Sequence, residues 1–342
     1  MNSILKLTPT QQAEVYQAAA QKLGIGEVII EKDFWVCWTL QQLFSLPDIK
    51  DHLIFKGGTS LSKVWGVITR FSEDIDVSLG RDWLGFGGER DPEKAPSKGK
   101  RKDRIKELAD ACAEKIKSEI LPALRRHATE ALGEEDWNIE IDDEEPQTLR
   151  FRYPSAVKRR ETEGYIRREV KIEFGARSDA WPAEEKAIVP YVAEAFPETI
   201  TDTGVAVHVL SIQRTFWEKA TILHAEFHRK EGEQAPGRFS RHYTDLAALA
   251  DHSTAEEALK DAALRERVVE HKTIFFASGW ANYDTAKPGT FRLVPPENRL
   301  AALEADYLAM SEMFFKTPRP WAEIIERLRV LENSINDNGG KT

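Results

Sequence analysis

Apolar and polar positions follow two periods along this chain, and the switches between them mark its elements. From 9 to 23 and from 27 to 46 apolar residues recur every three or four positions, which predicts two helices. Thr8 or Thr10 can cap the first and Gly24 closes it; Pro47 stops the second, whose stripe is Ile30, Phe34, Cys37, Leu40 and Phe44. Leu53-Ile54-Phe55 reads as a strand, a helix of about two turns follows Gly57-Gly58, and Asp74-Ile75-Asp76-Val77 alternates as a second strand. No period runs through 80–102, which predicts a loop, and 104–132 is helical with Pro122 kinking or splitting it. Strands follow at 139–141 (in acidic surroundings that predict a solvated hairpin edge), 148–153, 165–174 and 205–210. In the third of these Val170, Ile172 and Phe174 take one face, and Glu169, Lys171 and Glu173 the other. The remainder is helical: 211–228 behind a Ser211 cap, a loop at 231–239, a helix opening at Arg241, then 254–269, 274–278, 297–315 and 321–333. The pattern predicts an α/β (α+β) chain, with a mixed sheet and N-terminal helices in 1–210, a helical C-terminal domain over 211–335, and a disordered tail at 336–342.

The chemistry concentrates in 56–79, KGGTSLSKVWGVITRFSEDIDVSL. Two glycines after a strand leave backbone N–H groups open to a bulky anion, and Thr59 and Ser60 add hydroxyls at the start of a helix whose dipole favours phosphate. Asp74 and Asp76, two apart on a strand, share a face. Two crowded carboxylates call for a cation, and a hard divalent ion, Mg²⁺ where phosphate is present, is the usual one. Singly, a Gly-Gly pair is a turn and an Asp-x-Asp is a solvated strand face. Together, with Arg70 between them and Lys56 ahead, they describe a triphosphate cradle followed by a metal clamp. The Walker pattern is absent.

Composition narrows the partners. Net charge is −9, which argues against a protein that coats nucleic acid indiscriminately and leaves room for a local basic track. Arg150, Arg152, Lys158, Arg159, Arg160, Arg167, Arg168 and Lys171 form such a cluster. A second run, Lys94, Lys98, Lys100, Arg101 and Lys102, contains no acid and reads equally as a solvated lid or as a contact for RNA backbone. Cys37 and Cys112 have no metal-type spacing and predict no disulfide framework, which fits a reducing compartment. No stretch reads as a signal peptide or a membrane span, so a cytoplasmic protein is expected.

The order Gly-Gly-Thr-Ser, helix, Asp-x-Asp is similar to the first motif of DNA polymerase β-like nucleotidyltransferases, and KGGTSLSK with RFSEDIDVSL resembles the AbiEii/AbiGii branch, the toxin halves of bacterial toxin–antitoxin pairs. The resemblance implies a polymerase β-like core and transfer of a nucleotide from a nucleoside triphosphate. Gly57, Gly58, Thr59 and Ser60 would cradle the phosphates, with Lys56 and Arg70 as further contacts. Asp74 and Asp76 would hold one or two Mg²⁺ ions. It implies a third carboxylate on a strand beside the Asp-x-Asp; Glu173 is the candidate, against its plain reading as an exposed ion-paired face. It also matches Lys219 on one helix and Asp245-Leu246 on the next, led by Arg241, although Thr244 stands where the family more commonly has lysine. Read without the resemblance, Lys219 is a surface lysine and Asp245 a helix N-terminal acid. Glu31-Lys32-Asp33 reads as first-turn acids on the helix dipole; the resemblance puts Lys32 or Asp33 beside the site. The implied acceptor is RNA, the 3′ end of a tRNA first, with growth arrest or phage abortive infection as the effect and a cognate antitoxin encoded alongside.

Three other readings stay open. A small-molecule nucleotidyltransferase needs no basic track, a catalytically inactive nucleotide-binding module needs no third carboxylate, and a glycosyltransferase shares the Asp-x-Asp but lacks the glycine cradle.

Overall fold

A computed structural model describes residues 1–158, 167–201, 204–230, 232–233 and 236–337. The chain divides into two compact units, Met1–Val64 with Phe71–Val209, and Trp65–Arg70 with Leu210–Thr342.

The first unit holds a seven-stranded sheet: β1 (Leu53–Lys56), β2 (Ile75–Leu79), β3 (Asn138–Ile141), β4 (Thr148–Arg152), β5 (Glu169–Gly175), β6 (Ala183–Ile188) and β7 (Val205–Leu210), in the order β3-β4-β5-β2-β1-β7-β6. β2 runs parallel to β5 and β1 parallel to β7, whereas β1–β2, β3–β4 and β4–β5 are antiparallel. The sheet is therefore mixed, as the sequence pattern predicts. Its helices are α1 (Asn2–Leu5), α2 (Pro9–Leu23), α3 (Glu27–Phe44), α4 (Gly57–Lys63), α5 (Lys98–Lys115), α6 (Leu121–Leu132) and α7 (Tyr191–Ala195). Thr8 caps α2 in a reciprocal box with Gln11, and Gly24 closes it in the left-handed conformation at φ +68°.

α3 is buried over most of its length. Trp35 stacks on Tyr153 at 5.4 Å, and Trp38 lies 5.4 Å from Phe151, so two tryptophans fasten the helix to β4 and its exit. Aromatic pairs of this kind contribute about 0.5–1.5 kcal/mol each beyond the area they bury.

The second unit is helical: α8 (Ile212–Phe227), α9 (Ser240–Asp251), α10 (Thr254–Lys260), α11 (Ala262–Phe275), α12 (Glu297–Ala309) and α13 (Trp321–Asp337). Ser211 caps α8 as predicted, accepting from the Arg214 N–H. Among the described residues no helix is long and apolar enough to cross a membrane.

Several boundaries differ from the sequence reading. The loop from 80 ends at Ser97, whose hydroxyl accepts from the Lys100 N–H and starts α5 early; the basic run thus lies mainly on a helix. Pro122 falls where the helix expected over 104–132 divides: a wider turn at Ile116–Ile120 separates α5 from α6, and the proline sits in the first turn of α6. The helix expected over 254–269 breaks at Asp261, whose carboxylate accepts from the Leu264 N–H and caps α11. α12 stops at Ala309, short of the expected 315. α13 continues through Asn336 and Asp337, and the rest of the expected tail lies outside the described residues, as do Arg159, Arg160 and the start of the strand expected at 165.

Candidate active site

The glycine turn joins β1 to α4, and Asp74 immediately precedes β2. Register sets the arrangement: Asp76 lies opposite Lys56 on β1 and opposite Glu173 on β5, while Glu173 lies opposite Thr148 on β4. Residues directly opposite in neighbouring strands share a face. One row across the sheet therefore carries Lys56, Asp76, Glu173 and Thr148, with a cation at one end and two carboxylates in its middle.

Gly57 has φ +81°, and a Cβ there would come within 1.9 Å of the Asp76 carboxylate oxygen. Only a glycine lets the turn pass under that carboxylate. The Thr59 hydroxyl donates to the Asp74 carbonyl at 2.5 Å, and the Ser60 hydroxyl donates to the Gly57 carbonyl at 2.8 Å. Both residues are fully buried. The two hydroxyls expected to face phosphate thus brace the turn and the chain at Asp74. The first-turn N–H groups of α4 receive no side-chain cap.

Four acids crowd this corner. Burial, then the charges of Glu73, Glu173 and Asp76, push the Asp74 carboxyl up to about 6, with Lys32 opposing them. Lys32, 2% exposed, is paired with Glu73. The plain reading of Glu31-Lys32-Asp33 as first-turn acids on the helix dipole is overturned, because α3 begins at Glu27 and all three are buried with partners. Glu31 accepts from Ser155 and from the Ala156 and Val157 N–H groups, and Asp33 pairs with Lys63 at 3.0 Å and accepts from the Tyr191 N–H. The sequence reading missed Glu73, although three acids within Glu73-Asp74-Ile75-Asp76 were a visible signal.

Among the described residues no three His, Cys, Asp or Glu side chains converge as a preformed metal site. Mg²⁺ does not require one: it is commonly held by one or two carboxylates, water and substrate phosphates. The donor set fits that mode, with hard oxygens, mutual repulsion at Asp74 and a register that aligns Asp76 with Glu173. Glu173 also pairs with Lys171 at 2.7 Å, on a partly exposed face.

In the second unit, Asp245 is fully buried beneath two cations. Arg70 grips it with two hydrogen bonds, Nε to Oδ1 at 3.1 Å and Nη2 to Oδ2 at 3.0 Å, and Lys219 Nζ donates to Oδ2 at 2.8 Å. Burial would raise the Asp245 carboxyl, but Arg70 and Lys219 hold it well below the usual carboxylate range. Lys219 is buried rather than at the surface, Asp245 lies beyond the first turn of α9 rather than at its N-terminus, and the Arg70 guanidinium is turned onto Asp245. Lys219 also donates to His242 Nδ1 at 3.2 Å; burial, then the charges of Lys219 and Arg241, hold that imidazole well below its usual value and so neutral. His242 went unnoticed in the sequence, though it stands three residues before Asp245 on one helix face. Arg70 and Asp245 also bound a cavity of about 280 Å³ with Tyr307, Phe314 and Ile324.

In the basic cluster around β4 and β5, Arg150 and Lys171 are ion-paired within the fold, and Arg168 is bound to a backbone carbonyl. Arg150 pairs with Asp142 and Glu169, Lys171 with Glu145 and Glu173, and Arg168 donates to the Val157 carbonyl. Acids on β5 and in the connection between β3 and β4 offset charge on Arg150 and Lys171 that the sequence alone left uncounted.

Residues 38–327 match the family model described as nucleotidyl transferase AbiEii toxin, type IV toxin–antitoxin system. Among solved structures the chain is similar to MenT4, a nucleotidyltransferase toxin from Mycobacterium tuberculosis H37Rv, at 19% identity and a TM-score of 0.45, with 95% of this chain and 99% of that chain covered. No curated protein matches.

Proposed function

The chain belongs to the AbiEii nucleotidyltransferase toxin family, and from that premise we propose that it moves a nucleoside monophosphate from a triphosphate to an RNA acceptor, with the 3′ end of a tRNA as the first candidate. The observation that carries the site assignment is the pairing of Asp76 with Glu173 across β2 and β5, beside a glycine turn built around the Asp76 carboxylate.

In this reading Asp74, Asp76 and Glu173 hold Mg²⁺. Bound there, one or two such ions supply charge neutralisation at the triphosphate and make the acceptor hydroxyl easier to ionise. The chain's own groups do the rest. The uncapped N–H groups at Gly57 and Gly58 receive phosphate oxygens, and Lys56 balances charge at the end of the carboxylate row. Thr59 and Ser60 act indirectly, by holding the turn and Asp74 in place. Lys219 neutralises phosphate charge, while Asp245 fixes Lys219 and Arg70 in position. The acceptor hydroxyl gives its proton to solvent as its oxygen forms a bond to the α-phosphorus, the bond from that phosphorus to the bridging oxygen breaks, and pyrophosphate leaves with the electron pair.

The reading extends to a cytoplasmic protein with an antitoxin encoded alongside and growth arrest as its effect, in keeping with the family's type IV description. The same reading gives nucleotidyl transfer to 1–210 and a helical domain to 211–335. One observation favours a second reading: the ion-paired state of Arg150 and Lys171 removes part of the basic track that separated an RNA acceptor from a small-molecule one. Incubation of the pure protein with total RNA, Mg²⁺ and each labelled triphosphate in turn decides between them. Label on RNA supports the first reading; label only on small molecules overturns it.

A further inference from the structure

α5 begins against its own electrostatics. Its first turn contains Lys98, Lys100 and Arg101 and no acid, at the end of a helix where the dipole disfavours cations. Ser97 supplies the side-chain cap. Lys98, Lys102 and Lys106 follow at four-residue intervals and are all exposed, so they form one stripe with a rise of about 6 Å between neighbours. That is the scale of successive phosphates along a nucleic-acid strand. Among the described residues none of these three lysines has an ion-pair partner, unlike Arg150 and Lys171. On a chain with net charge −9, a cationic stripe left uncompensated by the fold is a local exception.

Its position in the first unit adds direction. The Ala109 carbonyl of α5 accepts from Gln147 Nε2 at 2.8 Å, and the Gln147 carbonyl accepts from the Phe174 N–H at 2.9 Å. Phe174 follows Glu173. The stripe therefore begins within a turn of the contact that ties α5 to the Glu173 end of β5, and about 16 Å of helix separates Ala109 from Lys98.

We propose that Lys98, Lys102 and Lys106 form the surface along which the sugar–phosphate backbone of the acceptor RNA lies, whereas Arg150 and Lys171 serve the fold. The contact reads charge and spacing, not base sequence. This inference rests on the RNA-acceptor reading above.

The test compares the full-length wild type with Lys98→Ala/Lys102→Ala/Lys106→Ala and with a control of equal charge change, Lys6→Ala/Lys50→Ala/Lys260→Ala, in transfer of labelled nucleotide to total RNA with Mg²⁺. The stripe variant is expected to raise KM for RNA about tenfold or more and to flatten the salt dependence of RNA affinity by about 2 to 3 in log–log slope. Its kcat at saturating RNA, its triphosphate affinity and its melting temperature should match wild type, and the control should behave as wild type throughout. Wild-type KM and salt slope in the stripe variant would overturn the inference while leaving the RNA reading standing. Equal losses in both variants would assign the effect to net charge and overturn it too. Failure of the wild type to label any RNA would overturn the RNA reading itself. Loss of binding to a co-expressed antitoxin with RNA transfer intact would make the stripe a protein interface.

Discussion

Gly57 passes directly beneath Asp76: a Cβ on the glycine would lie 1.9 Å from the carboxylate oxygen and 2.9 Å from the Asp76 Cβ. Gly57→Ala therefore meets two separate penalties. One is the positive φ, which costs an L-residue about 1–2 kcal/mol. The other is displacement of the carboxylate. Transfer should be lost, and the stability cost should shrink when Asp76→Gly is added, because only the backbone penalty then remains. Urea unfolding of the two single variants and the double variant measures the coupling. Strict additivity would mean the turn does not depend on Asp76.

Asp76→Ala should abolish nucleotide transfer and leave the fold intact. It removes one of the acids that crowd Asp74, so the metal-free melting temperature should stay level or rise. Mg²⁺ should raise the melting temperature of wild type and fail to do so in the variant. An equal Mg²⁺ shift in both proteins would remove Asp76 from the metal site.

How much of this was legible beforehand depended on distance along the chain. The threonine cap of α2, the Ser211 cap of α8 and the alternation of β2 and β5 are local, and the sequence showed them. β6 escaped because Ala183-Glu184-Glu185-Lys186-Ala187 is charged rather than β-branched, as an edge strand tolerates. The burial of Glu31, Lys32 and Asp33 was illegible because their partners, among them Ser155, Glu73 and Lys63, lie far away in sequence. The same holds for Arg150: its charge was visible, but its pairing with Glu169 needed the register of β4 on β5. Lys219 and Asp245 were found through a resemblance, and their buried geometry could not be read from either helix alone.

Lys219 and Asp245 should separate binding from stability. Lys219→Met removes a charge-assisted phosphate contact of about 1.5–3 kcal/mol, so triphosphate affinity should fall roughly ten- to a hundredfold. Asp245 keeps its two bonds from Arg70 in that variant, and the fold should hold. Asp245→Ala instead leaves Arg70 and Lys219 buried without their counter-ion and should cost about 3–5 kcal/mol. Calorimetric titration with a non-hydrolysable triphosphate, beside thermal unfolding, checks both. Wild-type affinity in Lys219→Met would make the lysine purely structural.

His224 gives the second unit a pH limit that needs no ligand. Its Nε2 lies 3.1 Å from the Asn282 carbonyl and 3.2 Å from the Thr285 hydroxyl, while Nδ1 accepts from the Arg292 N–H at 3.1 Å. That set of partners fixes a neutral ring with its proton on Nε2, and a second proton on Nδ1 would break the Arg292 contact. Burial, with smaller effects from His228 and Arg292, pushes the imidazole down to about 4, against an ordinary value near 6.5. Between those values the unfolded chain binds a proton that the folded chain refuses, so stability rises with pH across the window. The contribution is fully present above about 6.5 and is lost as pH falls toward 4. Urea midpoints at pH 7.5, 5.5 and 4.5 should therefore fall more steeply for wild type than for His224→Gln. His228 is held low by burial as well and remains in the variant, so the slope should lessen without vanishing. Identical slopes would show that His224 is as easily protonated in the folded state as in the unfolded one.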